Sequence, residues 1–287
     1  MNKTLFKTAP LPFQGQKRRF IGAFGLALQE LKAKREVSVI IDLFGGSGLL
    51  SHTAKHIFPE CKVIYNDYDN FSRRLLHIEE TNSLLDKIRV FIQSIPKGKK
   101  LNNITKGEII DCIEIVDSKG FVDYITLSSS LLFSAKYVTS LKDLKKETLY
   151  NNIKMSNYDC KASEYLDGLD IVHCDYKELY NQYKDIPGVL FIVDPPYLST
   201  DTSTYHSDKY WRLRDYLDVL NVLVDNNYFF FSSNKSSLIE LCEWLDENKK
   251  GFSNPFAQSV LNIQNVTLNK TAGYTDLMLY KFIEDNE

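Results

Sequence analysis

The feature that most constrains the fold is an apolar run, residues 37–44, followed at once by a glycine-rich loop, residues 45–48. A segment with helical spacing, residues 49–58, comes next. A continuous apolar run of this length predicts a strand of a parallel sheet that is covered on both faces. Strand, glycine loop and helix in this order are typical of a nucleotide-type cofactor site at the carboxyl end of a sheet. The chain is therefore expected to be an α/β protein with a mostly parallel sheet.

The glycine-rich loop narrows the kind of cofactor. A dinucleotide fingerprint has a third glycine three residues after the second, and this chain has Ser51 at that position. The loop therefore permits a ligand to approach the backbone closely but lacks the full pyrophosphate signature. S-adenosylmethionine fits this difference, because it carries a ribose and an adenine but no phosphate. The cofactor contacts predicted in this region are Asp42, Phe44, Gly45, Gly46 and Gly48.

A second strand is predicted over residues 62–67, and it ends in Asp67. An acid about 20 residues beyond such a loop can accept hydrogen bonds from the ribose hydroxyls. Asp67 is therefore the predicted ribose ligand, with Asp69 as the fallback. The alternative for Asp67 is an N-terminal cap on a helix that starts near Asn70.

A third apolar run, residues 189–193, leads into Asp194, Pro195, Pro196 and Tyr197. Each proline fixes its own φ and biases the preceding residue toward extended geometry, so the direction of the carbonyl groups is set in advance. These four residues are therefore predicted to form the catalytic site. The alternative is a plain exit from a strand into a loop, because Asp-Pro and Pro-Pro are common turn signals.

Such a turn suits a reaction at the exocyclic amine of a flat base. The amine of adenine is a poor nucleophile, because its lone pair is delocalised into the ring. Two acceptors on its two N–H bonds favour the pyramidal geometry of the transition state. The Asp194 carboxylate and the Pro195 carbonyl are the predicted acceptors, and Tyr197 is predicted to lie against the face of the base. This mechanism is positioning with electrostatics and needs no strong base.

With the glycine loop and the Asp-Pro-Pro-Tyr turn, the chain resembles the N6-adenine DNA methyltransferases of the Dam (D12 class) family, in the motif order of their alpha group. The resemblance covers nearly the whole chain outside a central insert. It implies a class I S-adenosylmethionine-dependent methyltransferase fold, Rossmann-like and mostly parallel with an antiparallel edge, plus an inserted target-recognition subdomain. It also implies a site-specific DNA adenine-N6 methyltransferase that acts on an adenine flipped out of double-stranded DNA.

The amino-terminal residues 12–17 look like the aromatic-x-Gly-x-Lys stretch of that family. By resemblance, Phe13 and Lys17 would help to bind the cofactor. Lys17 could pair with the methionine carboxylate of the cofactor. The alternative for Lys17 is membership of a solvated basic cluster, residues 17–19.

Residues 171–176 are similar to the family's third cofactor strand. There, Asp175 could accept a hydrogen bond from the adenine amino group of the cofactor, and Tyr176 could pack on its ring. An ordinary strand end with a turn acid is the alternative. Residues 229–234 resemble the next core strand, and residues 274–282 look like the terminal strand.

The strand and helix pattern changes after residue 70, and this change predicts two domains. Residues 1–70 and 160–287 are predicted to form the catalytic domain, and residues 71–159 an inserted target-recognition domain. A slight excess of Lys and Arg in the insert suits a module that lies on a phosphate backbone. A lid or packing subdomain is the alternative. Arg73 and Arg74 belong to one candidate basic patch, although such patches are more often solvated.

Periodicity predicts the other elements. Helices are expected over residues 20–35, 75–91, 176–184, 211–226 and 236–248. A basic loop is expected over residues 96–106, and a hairpin over residues 109–126 around a turn at 118–120. Strands are expected at residues 169–174, 227–233, 258–266 and 275–283, the last two as an antiparallel edge. Residues 198–210 are expected to cover the target pocket, with Tyr205 and His206 as candidate DNA or base contacts; a plain surface loop is the alternative.

Composition bounds the remaining classes. The chain has 287 residues, a net charge of −2 and 44% hydrophobic residues, the profile of a soluble globular protein that must concentrate its positive charge locally to bind DNA. Its five cysteines show no metal-ligand spacing, so no metal is expected and reduced thiols in a cytoplasmic protein are favoured. No signal peptide and no membrane span are predicted. The predicted partners are double-stranded DNA and a possible cognate restriction endonuclease, and the protein is expected to be a monomer.

Two other functions stay open on the sequence. The same chemistry could act on another planar amine, such as an RNA base or a glutamine side chain, although enzymes of those kinds often carry Asn before Pro-Pro and Asp194 stands here. The chain could also be a non-catalytic DNA-binding module on a methyltransferase scaffold, although both predicted ligand sites look intact.

Overall fold

The structure, a computed structural model, describes residues 5–133, 136–197, 211–267 and 273–283. The chain divides into two compact units. The first unit comprises Met1–Thr8, Lys17–Asp69 and Gly168–Glu287, and the second comprises Ala9–Gln16 and Asn70–Asp167. Ala9–Gln16 thus groups with the second unit, whereas the sequence placed it in the catalytic domain. The predicted pocket loop, with Tyr205 and His206, lies outside the described residues.

Helices and strands alternate through most of the first unit. The strands are β1 (Val39–Asp42), β2 (Lys62–Asn66), β3 (Asp170–Val172), β4 (Val189–Val193), β5 (Asn227–Ser233), β6 (Val260–Thr267) and β7 (Gly273–Lys281). The α-helices of the described residues are α1 (Ile21–Lys34), α2 (Leu49–Ile57), α3 (Phe71–Leu76), α4 (Ile78–Ile92), α5 (Asn103–Asp117), α6 (Tyr124–Leu131), α7 (Leu141–Lys146), α8 (Tyr176–Tyr183), α9 (Leu213–Leu223) and α10 (Leu238–Asn248). Helices α3 to α7 belong to the second unit.

The seven strands form one sheet in the order β3-β2-β1-β4-β5-β7-β6. The first five strands of that order are parallel, and β7 runs antiparallel to both of its neighbours, β5 and β6. The predicted α/β class, with a mostly parallel sheet and an antiparallel edge, is confirmed. Outside the predicted hairpin over residues 109–126, the predicted strands are all present, and their bounds differ from the predicted ones by at most two residues.

The sheet is stable because both of its faces are covered. Every residue of β1 and β4 is buried, as expected for central parallel strands. On one face, Phe191 of β4 belongs to a core that also contains Val219 of α9. On the other face, Phe24 of α1 packs edge-to-face on Phe229 of β5, with 4.7 Å between ring centroids. Burial of each such side chain contributes roughly 1.5–3 kcal/mol. This packing fixes the carboxyl ends of the central strands, where the candidate site lies.

The second unit is helical where a hairpin was predicted. Residues 109–126 fall on the end of α5 and the start of α6, so the hairpin prediction is wrong. Alternating isoleucines suggested strands, but Asn102 accepts a hydrogen bond from the Thr105 amide at 2.8 Å and caps α5. Helical spacing then places Ile109 and Ile113 in the core of the unit. Capping and burial of one helix face therefore outweigh the strand propensity of β-branched residues. Helix α5 also includes the last residues of the predicted basic loop.

The structure also describes the state of the cysteines and the described residues that could span a membrane or bind a metal. All five cysteines are free. Within the described ranges, no helix is long and apolar enough to cross a bilayer. Over the same ranges, no group of His, Cys, Asp or Glu is arranged to hold a metal ion.

Candidate active site

Three acids from different parts of the chain lie at one edge of the sheet in the first unit. Asp42 ends β1 and is in register with Tyr65 of β2 and with Ile192 of β4. Asp67 and Asp194 each follow their register partner by two residues. Because these strands are parallel, their carboxyl ends share an edge, which is where ligands bind in open α/β sheets.

The glycine loop turns the chain from β1 into α2. Gly46 and Gly48 have φ values of 50° and 72°, which favour glycine. The Gly45 amide donates to the Asn66 carbonyl at 3.2 Å, and a Cβ on Gly45 would lie 2.2 Å from two ring carbons of Tyr65. Gly45 is therefore required for close packing of the loop against β2. The loop connects β1 to α2 in the predicted order of strand, loop and helix.

Ser51, which stands in place of a third glycine, has a structural role. Its hydroxyl donates to Oδ2 of Asp42 at 2.6 Å, and both side chains are buried. The other oxygen, Asp42 Oδ1, is buried without a hydrogen-bond partner among the described residues. Burial raises the pKa of Asp42 from 3.8 to about 7, although the Ser51 hydrogen bond opposes the shift, and Asp194 raises the pKa further. A carboxyl that titrates near neutral pH thus lies beneath the glycine loop.

The raised pKa of Asp42 predicts a pH-dependent stability. Between pH 3.8 and about 7 the folded chain keeps a proton on Asp42 that the unfolded chain releases, so the free energy of unfolding falls as the pH rises through this window. Between pH 5.5 and 7.5 the fall attributable to Asp42 is expected to be roughly 2 kcal/mol. Urea unfolding of the wild type and of Asp42→Asn at several pH values measures it. Parallel curves for the two proteins would contradict the prediction.

Asp67 is buried at the end of β2. Its Oδ1 accepts a hydrogen bond from the Tyr65 hydroxyl at 3.0 Å, and its amide donates to the Val172 carbonyl at 2.8 Å. Helix α3 has Asn70 as its N-terminal cap residue, so Asp67 does not cap that helix. Asp69, the fallback ribose ligand, is half-buried and so more open to a ligand than Asp67. A ribose contact by either acid stays a prediction.

Asp194 meets Lys17 at the end of β4. Lys17 Nζ lies 2.5 Å from Asp194 Oδ2, and the two side chains are only 8% and 16% exposed. The second oxygen, Oδ1, is buried and accepts no hydrogen bond from the described part of the chain. Burial raises the pKa of Asp194, although the charge of Lys17 opposes the shift. Lys17 is thus paired and is no solvated surface cation, and its partner is a predicted catalytic acid.

The rest of the predicted catalytic turn packs around this pair. Lys17 Nζ lies 5.3 Å from the centre of the Tyr197 ring, a distance suited to a cation–π contact. The Tyr197 carbonyl accepts a hydrogen bond from the Tyr216 hydroxyl of α9 at 3.2 Å. Pro195 is buried and Pro196 is half-buried. The turn is therefore anchored on both sides, and it holds one buried acceptor at Asp194.

Asp276 is a member of this site that the sequence analysis missed. It lies on β7, in register with Ser233 of β5, and its charge raises the pKa of Asp194. Burial raises the pKa of Asp276 as well, while Lys17 and Arg19 oppose that shift. No local sequence pattern could have identified Asp276, because only the antiparallel pairing of β7 with β5 brings this carboxylate toward Lys17.

An aromatic cluster lies beside the glycine loop. The rings of Phe44 and Tyr176 are 4.8 Å apart, and Trp211 stacks on Tyr176 at 5.9 Å and 25°. The sequence analysis identified Phe44 and Tyr176 but missed Trp211, which follows the undescribed segment. Asp175 is exposed, and its side chain accepts from the Lys177 amide at 2.8 Å, so it caps α8. Its position thus matches the alternative of a turn acid, and its predicted contact with a cofactor stays untested.

Phe13 belongs to the second unit rather than to this group of residues. It packs edge-to-face on Phe71, with 5.8 Å between ring centroids. Its predicted cofactor contact is likewise untested.

Two comparisons bear on this arrangement. The sequence matches the family described as D12 class N6 adenine-specific DNA methyltransferase over residues 13–216. It is also 38% identical, over 283 residues, to a protein of Haemophilus influenzae (strain ATCC 51907 / DSM 11121 / KW20 / Rd) named "Putative methyltransferase". That alignment covers 98% of this chain and 94% of the relative. The seven-stranded sheet, mostly parallel with an antiparallel edge, is that of a class I methyltransferase.

Proposed function

Because the chain belongs to the D12 class N6 adenine-specific DNA methyltransferase family, we propose that it methylates the N6 atom of an adenine that has left the DNA duplex. The methyl donor in this proposal is S-adenosylmethionine. The observation that carries the proposal is Asp194 Oδ1, a buried acceptor without a partner among the described residues. Such an atom is costly unless a ligand satisfies it, and an amine of a base is a donor of the required kind.

The first unit offers residues that suit this cofactor. The glycine loop brings backbone within reach of a ligand, and Gly45 and Asn66 hold the loop against β2. The half-buried Asp69 and the buried Asp67 would take the ribose hydroxyls. The aromatic rings of Phe44 and Tyr176 would pack on the adenine. When bound, the cofactor supplies an electrophilic methyl group on a positively charged sulfur.

The side chains of the turn would then prepare the amine of the target base. Asp194 Oδ1 accepts from one N–H bond and the Pro195 carbonyl from the other, which leaves the lone pair on nitrogen. Tyr197 lies against the base and fixes its plane. The amine carries an extra proton after transfer, and burial of Asp194, which raises its pKa, makes this carboxylate a better acceptor for that proton.

Lys17 has two roles in this scheme. Its ammonium, 2.5 Å from Asp194 Oδ2, favours the charged form of the buried carboxyl against the effect of burial and leaves only Oδ1 for the base. It also lies at the amino-terminal end of the segment that leads into α1, where a methionine carboxylate would be a second anion for it. The ion pair of Lys17 and Asp194 therefore favours the ionised carboxylate, which accepts hydrogen bonds from the base.

The second unit is proposed to recognise the DNA target. It exposes lysines that can reach phosphates, among them Lys97, Lys99 and Lys100 between α4 and α5 and Lys142 on α7, and phosphate contacts of this kind fix register without reading sequence. The base-reading residues would come from the same unit. That the target-recognition domain spans residues 71–159 is also part of this proposal.

Parallel methyl transfer to three substrates tests the proposal. The protein would be incubated with tritiated S-adenosylmethionine and with duplex DNA, RNA or a glutamine-bearing protein. We expect label in DNA alone, and sequencing that detects modified bases should place it on N6 of adenine within one short motif. Label in RNA or protein would refute the DNA substrate. Absence of cofactor binding by calorimetry would favour a non-catalytic module.

A further inference from the structure

Tyr216 is buried near the start of α9, and its position there is fixed. It is 3% exposed and belongs to the core that also contains Phe191 of β4 and Val219 of α9. The helix begins at a defined point, because the Arg212 amide donates to Oδ2 of Asp215 at 2.7 Å. A buried tyrosine hydroxyl requires a hydrogen-bond partner. The hydroxyl of Tyr216 therefore extends toward its partner from a well-packed part of the first unit.

The partner of this hydroxyl lies in the predicted catalytic turn of the same unit. The Tyr216 hydroxyl donates to the Tyr197 carbonyl at 3.2 Å, across 19 residues of the chain. On the side-chain side, the centre of the Tyr197 ring lies 5.3 Å from Lys17 Nζ. The two residues before Tyr197 are Pro195 and Pro196, which have no amide hydrogen to donate. Contacts at Tyr197 therefore matter more for the hold on the turn, and Tyr216 provides one of them.

The ring of Tyr216 contacts a different group of residues from the one that its hydroxyl binds. It packs edge-to-face on Trp211, with 5.1 Å between ring centroids. Trp211 in turn stacks on Tyr176 and lies 5.8 Å from the ring of Phe44. Phe44 and Tyr176 are the two rings proposed to pack on the adenine of the cofactor. One side chain thus contacts both the catalytic turn and the aromatic cluster on the cofactor side.

Methyl transfer requires the amine of the base and the methyl carbon of the cofactor to lie in line and in contact, so its rate depends on how the two are placed relative to each other. We propose that Tyr216 is a positioning residue that fixes the catalytic turn relative to the aromatic cluster of Phe44, Tyr176 and Trp211. It acts through the Tyr197 carbonyl. This inference rests on the proposed function and adds to it a residue outside both the turn and the glycine loop.

Tyr216→Phe tests the role with the smallest change. Phenylalanine keeps the ring in the core and against Trp211, but it cannot donate a hydrogen bond to the Tyr197 carbonyl. The matched control is Tyr180→Phe, because the Tyr180 hydroxyl donates to the Asn221 carbonyl of α9 at 3.0 Å. The control therefore loses a bond of the same kind to the same helix, and that bond involves no residue of the turn.

Three measurements read the outcome. Nitration of tyrosines by tetranitromethane, followed by mass spectrometry, reports how well the ring of Tyr197 is held. Initial rates of methyl transfer to unmethylated duplex DNA report the reaction, and calorimetry reports the dissociation constant for S-adenosylmethionine.

We expect Tyr197 to be nitrated several times faster in Tyr216→Phe than in the wild type, and methyl transfer at saturating cofactor to be roughly tenfold slower. The dissociation constant should stay close to that of the wild type, because the ring still packs on Trp211. Tyr180→Phe should match the wild type in all three measurements. Tyr216→4-aminophenylalanine keeps the ring and donates a weaker hydrogen bond, so its rate should lie between those of the wild type and Tyr216→Phe. Circular dichroism shows whether each variant is folded.

Other results overturn the inference. A folded Tyr216→Phe protein that matches Tyr180→Phe in nitration, or that methylates DNA as fast as the wild type, would show that Tyr216 only fills the core. A rate loss matched by an equal loss of cofactor affinity would also contradict it. Should Tyr216→Phe not fold, the 4-aminophenylalanine variant is read in the same way. If the wild type transfers no methyl to DNA, the proposed function fails, and nitration of Tyr197 alone still decides whether Tyr216 holds the turn.

Discussion

Asp194→Asn is expected to slow methyl transfer by roughly a thousandfold while the dissociation constant for S-adenosylmethionine stays close to that of the wild type. The substitution keeps the size of the side chain but removes the negative charge that Lys17 holds at 2.5 Å. A neutral amide is a weaker acceptor, and its NH2 group can face the base. The proposed pyramidal amine would then lose one of its two acceptors, and the methylated amine would lose its proton acceptor.

Initial rates with tritiated cofactor measure the loss, and tryptophan fluorescence measures cofactor affinity. Trp211 stacks on Tyr176 beside the glycine loop, whereas Trp244 is 53% exposed on α10, so a Trp244→Phe background isolates the informative ring. Asp218→Asn is the matched control, because Asp218 pairs with Lys177 at 2.5 Å on the surface. A rate for Asp194→Asn close to that of Asp218→Asn would refute the role of the acid.

Gly45→Ala is expected to have the second large effect, on both stability and cofactor binding. The new Cβ would lie 2.2 Å from two ring carbons of Tyr65 and 2.9 Å from the Asn66 carbonyl oxygen. Tyr65 is fully buried, and its hydroxyl holds both the Gly46 carbonyl and Asp67. Relief of the clash must therefore shift either the loop or the predicted ribose site. The free energy of unfolding should fall by about 3 kcal/mol.

Urea denaturation and calorimetric titration with S-adenosylmethionine check this prediction. Gly22→Ala is the control, because a Cβ at Gly22 meets nothing within 4 Å and the residue lies inside α1. Alanine there should raise the free energy of unfolding by about 0.5–1 kcal/mol. The prediction for Gly45 is contradicted if both variants bind cofactor as the wild type does.

Local patterns predicted the parts of the fold that depend on local chemistry. Residues 189–193 form a strand because an unbroken apolar run can be buried on both faces. The loop over residues 45–48 turns because glycine tolerates positive φ at Gly46 and Gly48 and close packing at Gly45. The hairpin over residues 109–126 failed for the opposite reason. The isoleucines of α5 fit a strand as well as a helix, and only the cap at Asn102 and the partner helix decide between them.

Contacts between distant residues account for most of what the sequence did not predict. Lys17 was expected to face a cofactor, and it faces Asp194, 177 residues later in the chain. Asp276 comes near this pair through the antiparallel pairing of β7 with β5. Arg74 looked like a surface cation, but Asp123, the N-terminal cap residue of α6, explains its burial. None of these pairings has a periodicity or a spacing that a single sequence displays.

Under the proposed role of the second unit in recognising the DNA target, its helical build limits how target specificity could be exchanged between relatives. Apart from one isolated bridge between Lys100 and Tyr150, the described part of this unit contains no strand. A helix fits the major groove, which is about 12 Å wide, but Ile109 and Ile113 tie α5 into the unit's own core. A short β-ribbon or a few surface residues from a relative would therefore have no equivalent segment to replace in this unit. Chimeric proteins with altered target sites would have to exchange the helices together with the apolar interior that they share.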